Sequence, residues 1–295
     1  MPRLRLLSWN LWHGLDPYAR VLMFPMQSRS ESHERRARQL EALRALKRTS
    51  WDVFSLQEVN PARSRGRKIA SALGLEGESI VVNTGIKLGC LGLPPGLQEG
   101  LAVFHGEGFS DVRFREMTLS GSALELGPLV LQTRERRKAL CLDGQLEGLR
   151  IAVANVHLHN GSDRDAVALG KKTREIERLV EWLSRGFSSE QAPELVAVCG
   201  DFNSDPDSGC MNALLSAGFV ELSGREPTWA PALNPLAAKS GQRARSRLAR
   251  EWDSAPHVFD RIYARCERPI LEVRREVFRK SGLSDHFASC VEIAF

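Results

Sequence analysis

Residues with hard oxygen donors, together with two histidines, fall at the ends of hydrophobic runs in this sequence. Asn10 follows LLSW, Glu58 follows VFSLQ, His157 follows IAVANV, Asp201 and Asn203 follow LVAVCG, and Asp285 with His286 stands just before the last apolar run. Carboxylate and amide oxygens suit a hard divalent cation such as Mg²⁺ or Mn²⁺. His157 and His286 can donate hydrogen bonds to phosphate oxygens or exchange a proton near neutrality, and an aspartate beside them can orient or deprotonate water. Phosphoester hydrolysis needs that combination: positive charge opposite developing negative charge, an activated in-line water, and donors on the non-bridging oxygens. Each residue alone reads equally well as a turn former, a surface acid or a core histidine. Their joint occurrence at successive strand ends carries the chemical reading, because strand ends of α/β proteins gather at one edge of a sheet.

Other chemistries find no anchor. The chain has no GxSxG elbow, Walker A loop or GxGxxG turn. Its cysteines (Cys90, Cys141, Cys199, Cys210, Cys266, Cys290) show no CxxC or Cys/His spacing for zinc and are expected to be unpaired core thiols. The longest apolar runs, 151–156 and 195–199, are too short to span a membrane, and the N-terminus reads as a strand and not a secretory signal. A cytoplasmic protein, taken as a monomer, is the expectation. The 41 Lys and Arg against 36 Asp and Glu give +5 and a pI near 9.0, a mild preference for anionic partners.

The elements that must position these residues alternate from the start. Strands are predicted over 4–12, 52–56, 151–157, 195–199, 258–264, 270–278 and 289–295, with short antiparallel runs at 79–83, 101–104, 112–118, 129–133 and 139–143. Leu40, Leu43 and Leu46 mark an amphipathic helix with Ser30 or Ser32 as N-cap; further helices are predicted over 62–73, 166–183 and 208–217. Crossovers and hairpins in one chain indicate an α/β protein with mixed sheets. Between the strands, residues 230–256 hold Lys239, Arg243, Arg245, Arg247 and Arg250 with no acid before Glu251, either a solvated loop or a basic flap over an anionic substrate.

The runs SWNLWHG (8–14), SLQEV (55–59), ANVHLH (154–159), CGDFNSDP (199–206), FDRIYA (259–264) and LSDHFA (283–288) in this order resemble the endonuclease/exonuclease/phosphatase superfamily. The resemblance runs from residue 4 to the C-terminus. It implies a deoxyribonuclease I-like four-layer α/β/β/α sandwich of two mixed β-sheets, hence one domain over 1–295 with its site at one edge. It also implies Mg²⁺, or Mn²⁺, as cofactor. Glu58 would be the main metal ligand, with Asn10 and Asp285 as further ligands or neighbouring groups. Asp201 would orient or deprotonate the attacking water, Asn203 would hold that water and the phosphate, and His286 would contact a phosphate oxygen with Asp260 accepting its other N–H. His157 matches the second histidine of some members, and Arg137, in RERRKAL before a strand, matches a phosphate-contacting arginine. Trp12 stands where several relatives carry an acid, so one metal or two stays open. His13 and His159 are read as rim or structural residues, and PTWAPALNP (227–235) as a structural motif.

The function implied is hydrolysis of a phosphodiester, with nucleic acid as one substrate class and a sphingomyelinase-like or other small-molecule phosphodiesterase as the alternative. Fold and motif are shared by members acting on different substrates and do not choose between them. A catalytically silent binding protein on the same scaffold is the remote alternative, disfavoured because Glu58, Asp201 and His286 are all present.

Overall fold

The computed structural model describes residues 2–12, 25–49, 51–83, 86–88, 91–93, 98–126, 129–187, 192–229, 256–279 and 283–295. His13, Cys90 and the basic stretch 239–250 lie outside the described residues. In chain order the elements are β1 (Arg3–Asn10), α1 (Pro25–Lys47), β2 (Val53–Val59), α2 (Ala62–Leu73), β3 (Glu76–Asn83), β4 (Ile86–Leu88), β5 (Leu91–Leu93), β6 (Glu99–His105), β7 (Phe109–Leu126), β8 (Leu129–Leu146) and β9 (Leu149–His157). There follow α3 (Ala166–Arg185), β10 (Leu195–Asp201), a 3₁₀ turn (Gly209–Met211) running into α4 (Asn212–Ser216), β11 (Val220–Glu221), β12 (Asp260–Cys266), β13 (Glu272–Phe278) and β14 (Ala288–Ala294).

Two mixed sheets form. One runs in the order β13-β14-β1-β2-β6-β3, the other β11-β12-β10-β9-β8-β4-β5, with β7 also on β8. Each contains a parallel pair, β1 with β2 and β9 with β10, and each pair is joined by a helix, α1 or α3. Parallel neighbours need such a crossover, and it returns the chain so that both strands end at the same edge. Asn10 and Glu58 therefore close one sheet where His157 and Asp201 close the other.

Three apolar layers hold the sheets and helices together. Leu4, Leu6, Val53, Leu142, Ile151, Leu195 and Ile293 fill the space between the sheets. Leu43, Leu46, Ile69 and Leu73 of α1 and α2 cover the outer face of the first sheet with Trp9, Phe54 and Phe104, while Ile176, Leu179 and Leu183 of α3 cover the second with Cys141, Val198 and Tyr263. The four-layer α/β/β/α expectation is met. Truncating one of the fully buried aliphatics, Ile151 for instance, would cost about 2–5 kcal/mol. The five described cysteines are free thiols, and all but Cys266 are buried.

Several local expectations are corrected. α1 starts at Pro25, so Ser30 and Ser32 lie inside the helix and cannot cap it; proline's fixed φ and missing N–H suit the first helical position. The helix expected over 208–217 is only the 3₁₀ turn and the short α4. The separate runs at 112–118, 129–133 and 139–143 belong to one hairpin, β7 and β8, and RERRK lies in the middle of β8 instead of before a strand. Charged residues continue that hairpin because, among the described residues, β7 pairs with β8 alone, leaving an edge that solvent can reach.

Candidate active site

A cleft of about 270 Å³ opens at the shared edge of the two sheets, lined by Glu58, Glu99, Arg137, His157, Asp201, Asn203, Asp285 and His286 together with Trp12, Trp229 and Phe259. Asn10 and Asp260 are fully buried behind it. Every residue picked out in the sequence for metal, phosphate or proton chemistry is thus brought to one place.

Backbone irregularities aim these side chains. Glu58 sits where β2 shifts register against β6, at φ +52, so the bulge turns its carboxylate out of the strand pattern and into the cleft. Asn203 is also left-handed, at φ +48; its N–H donates to Asp201 Oδ1 at 2.8 Å and its amide to the Leu158 carbonyl at 3.2 Å. Non-glycine residues in that region cost of order 1–3 kcal/mol and persist where surroundings over-determine them. Gly200 has φ +144 and a Cβ there would stand 1.9 Å from the Val156 carbonyl oxygen, which explains the glycine ahead of Asp201.

The polar network runs through Asp201. Its Oδ2 accepts from Asn10 Nδ2 at 2.8 Å and lies 3.6 Å from Nε2 of both His157 and His286. Asn10 Nδ2 also reaches Glu58 at 3.2 Å, while its Oδ1 accepts from the Trp12 N–H at 2.9 Å. Asn10 hence turns a donor, not an oxygen, toward the acids, as a neighbouring group would. His286 Nδ1 is 2.6 Å from Asp260 Oδ2. Strand β12 is antiparallel to β10 with Asp260 opposite Asp201, so Asp260 begins its strand where Asp201 ends the other. Thr228 fixes this corner, its hydroxyl accepting from the N–H groups of Phe259 and Asp260 at 3.1 and 2.9 Å. The threonine of the PTW motif is accordingly structural, as read from sequence, and holds the Asp260–His286 pair.

Burial opposes charge on both histidines, with different outcomes. For His286 the carboxylates of Asp260, Asp201 and Asp285 outweigh it and hold the imidazolium well above the ordinary range. His157 is pushed down by burial and by Arg137, against Asp201, Glu58 and Glu99. One imidazole is thereby kept as a cation and donor, the other neutral. Burial pushes Asp285 up to about 6, with His286 opposing and Glu58 and Asp201 adding repulsion. Two acids repelling each other at a cleft floor fit a bound divalent cation, which would remove that repulsion. The ligand atoms of Glu58, Glu99 and His157 lie within 4.8 Å of one another. Glu58 with Asp285 or Glu99 supplies the oxygen donors that Mg²⁺ takes, whereas a His157 nitrogen suits a softer metal.

Sequence reasoning missed Glu99 and Lys172. Glu99 opens β6, which is antiparallel to β2, so only strand pairing reveals that it stands beside the end of β2. Lys172, fully buried on α3, donates to the carbonyls of Gly161 and Asn203 and to Asp163 at 2.6 Å. Arg137 is 2% exposed and its guanidinium bonds Glu135 at 2.6 Å inside the cleft. Arg136 turns away to the Val82 carbonyl, which separates the two neighbours. His159 does not line the cleft; its N–H donates to Glu175 and its ring Nε2 lies 3.3 Å from Lys171 Nζ.

Sandwich and cleft together define a metal-dependent phosphoester hydrolase of deoxyribonuclease I-like fold. The chain belongs to the Endonuclease/Exonuclease/phosphatase family, whose model matches residues 7–286. A search of curated sequences returns no match. Among solved structures it is similar to truncated Caenorhabditis elegans TDP2 (TM-score 0.61, 19% identity, 99% of this chain and 98% of that one). It is also similar to family proteins from Bacteroides vulgatus (0.63, 14%, all of both chains) and Leptotrichia buccalis (0.60, 17%, 99% and 100%). At such identities the likeness bears on the fold.

Proposed function

We propose that the protein is a Mg²⁺-dependent phosphodiesterase, nuclease-like in substrate, that cleaves by in-line attack of water. One observation carries the reading: a single Asp201 carboxylate oxygen, fixed by Asn10, faces the Nε2 atoms of both histidines at 3.6 Å. Asp201 accepts the proton of the attacking water, and Asn203, held left-handed beside it, orients that water and the phosphate. His286, kept cationic by Asp260, donates to a non-bridging phosphate oxygen. Arg137 offers a second cation to the phosphate by leaving Glu135, and neutral His157 gives a further hydrogen bond. Glu58 with Asp285 or Glu99 would hold the divalent cation, which when bound would supply positive charge opposite the developing negative charge.

The contributing strands span the chain from β1 to the turn before β14, which supports one domain over 1–295. The free thiols fit a reducing cytoplasm, and among the described residues no helix is long and apolar enough to cross a membrane. A small diester is the second reading, favoured by a cleft of about 270 Å³, the size of a small-molecule site. The deciding assay presents supercoiled plasmid, single-stranded RNA, sphingomyelin and a bis-aryl phosphodiester with Mg²⁺ or Mn²⁺. Asp201→Ala and His286→Ala should each lower kcat by about 10²–10⁴. Activity that survives both substitutions or EDTA sinks the mechanism, and plasmid cleavage insensitive to salt sinks the nuclease form.

A further inference from the structure

Next to the catalytic cleft lies a second hollow of about 690 Å³, between α3 and the middle of the β7–β8 hairpin. The hairpin flares there because its register shifts repeatedly between Thr118 and Ala123, on both strands. Gly121 permits the shift: it has φ +83, and a Cβ would stand 2.1 Å from the Glu135 carbonyl oxygen. Bulges re-aim neighbouring side chains, and Arg137 opposite Ser120 is the one turned toward the cleft.

The hollow is lined by Lys171, Arg174 and Arg178. At i, i+3 and i+7 they stand on one face of α3, along roughly 10 Å of helix. All three are exposed. Arg178 gives one donor to the Leu119 carbonyl at 2.6 Å, and Lys171 Nζ lies 3.3 Å from His159 Nε2. Among the described residues none of the three has a carboxylate within ion-pair reach. The acid on the wall, Glu135, is bonded to Arg137, and Glu175 beneath is fully buried and accepts from Ser120 and the His159 N–H. A row of cations with no carboxylate in ion-pair reach attracts anions, and this one adjoins the cleft, because Glu135 lines both hollows.

We infer that this hollow binds a second phosphate of the substrate, next to the phosphodiester being cut, so that substrates carrying phosphates in series are preferred. The inference rests on the phosphodiesterase reading above and names its substrate class. Glu135 stands between the two sites, neutralising Arg137 until a phosphate takes its place. The phosphates come either from a nucleic-acid strand or from a small ester with two phosphates.

The test compares the full-length protein with Arg174→Ala/Arg178→Ala, both checked for an unchanged melting temperature. Binding of a fluorescent single-stranded oligonucleotide and of a 5′-phosphorylated dinucleotide is followed by anisotropy or competition in EDTA, where no hydrolysis occurs. KM is then measured on both and on bis(p-nitrophenyl) phosphate, which has one phosphate only. The expected result is binding weakened roughly tenfold or more, a salt dependence shallower by about one phosphate contact, and a KM that rises for the multi-phosphate substrates alone. A full effect on the dinucleotide identifies a small ester; an effect confined to the oligonucleotide identifies a strand. Unchanged binding, or an equal rise in KM on bis(p-nitrophenyl) phosphate, overturns the inference. If the wild type binds through these arginines but hydrolyses nothing, the phosphodiesterase reading fails while the anion site stands.

Discussion

The ammonium of Lys172 donates to the backbone carbonyl of Asn203 from complete burial in α3. The same nitrogen takes the Gly161 carbonyl and Asp163, so its three donors tie the loop after β9 to the loop after β10. A helix residue remote in sequence from the DFN motif thus holds that motif's asparagine in its left-handed conformation.

Lys172 is accordingly a positioning residue. Lys172→Met takes the donor from two carbonyls and one partner from Asp163, which keeps Ser204 and the Asp205 N–H, and should destabilise the protein by about 1–3 kcal/mol, lowering Tm by roughly 2–9 °C. Below the new Tm, kcat should fall while KM stays near the wild-type value, and Lys172→Arg should restore part of kcat. Equal kcat in wild type and Lys172→Met at a temperature where both are folded removes the role.

The ligand-type atoms of Glu99, Glu58 and His157 lie within 4.8 Å of one another. Glu99→Gln should weaken Mn²⁺ binding, read by titration of the paramagnetic ion, and raise the metal concentration needed for half-maximal activity about tenfold. Glu58→Gln should do so more strongly. If Glu99→Gln leaves the titration unchanged, Glu58 and Asp285 hold the metal without it.

Gly200→Ala tests why glycine precedes Asp201. The added Cβ meets the Val156 carbonyl across the β9–β10 pair, and φ +144 strains any L side chain. Destabilisation of about 2–4 kcal/mol is expected by urea denaturation. A cost below about 0.5 kcal/mol would mean that β9 and β10 can separate there without penalty.

Asp205 and His257 set a pH dependence at the rim, where His257 Nδ1 is 2.8 Å from Asp205 Oδ2. Burial works to raise the Asp205 carboxyl, but His257, with the Val258 N–H and Arg261, outweighs it and holds the group below its ordinary 3.8. A depressed folded-state pKa contributes stability above the unfolded value, which is lost as pH falls through the folded one. Asp205→Asn should therefore lower the unfolding free energy read by urea denaturation at neutral pH, by under about 1 kcal/mol after solvent screening, and the gap should close as pH drops below 3.8. A gap that stays constant with pH places the effect in packing instead.

The chemistry of the site was legible because metal, water and phosphate chemistry draw on few residue types, and strand ends are marked by where apolar runs stop. Asn10, Glu58, His157, Asp201 and Asp285 could all be found that way, as could α2 and α3 from their apolar spacing and the glycine after α2. The start of α1 was missed because proline at a first turn looks like a loop signal in sequence. The β7–β8 hairpin was read as fragments because its middle carries charges where periodicity expects alternation.

By itself, then, the sequence determined which donors exist and that parallel pairs would bring their ends to one edge, since each crossover forces its strand back the same way. Only the tertiary structure decided what faces what. Pairing of β6 with β2 brought Glu99 beside Glu58, and the bulge at β8 separated Arg137 from Arg136. The burial of Lys172 turned a charge on an ordinary amphipathic helix into the support of Asn203. These are contacts between residues distant in the chain, set by register, bulges and packing, and no local pattern of residue types encodes them.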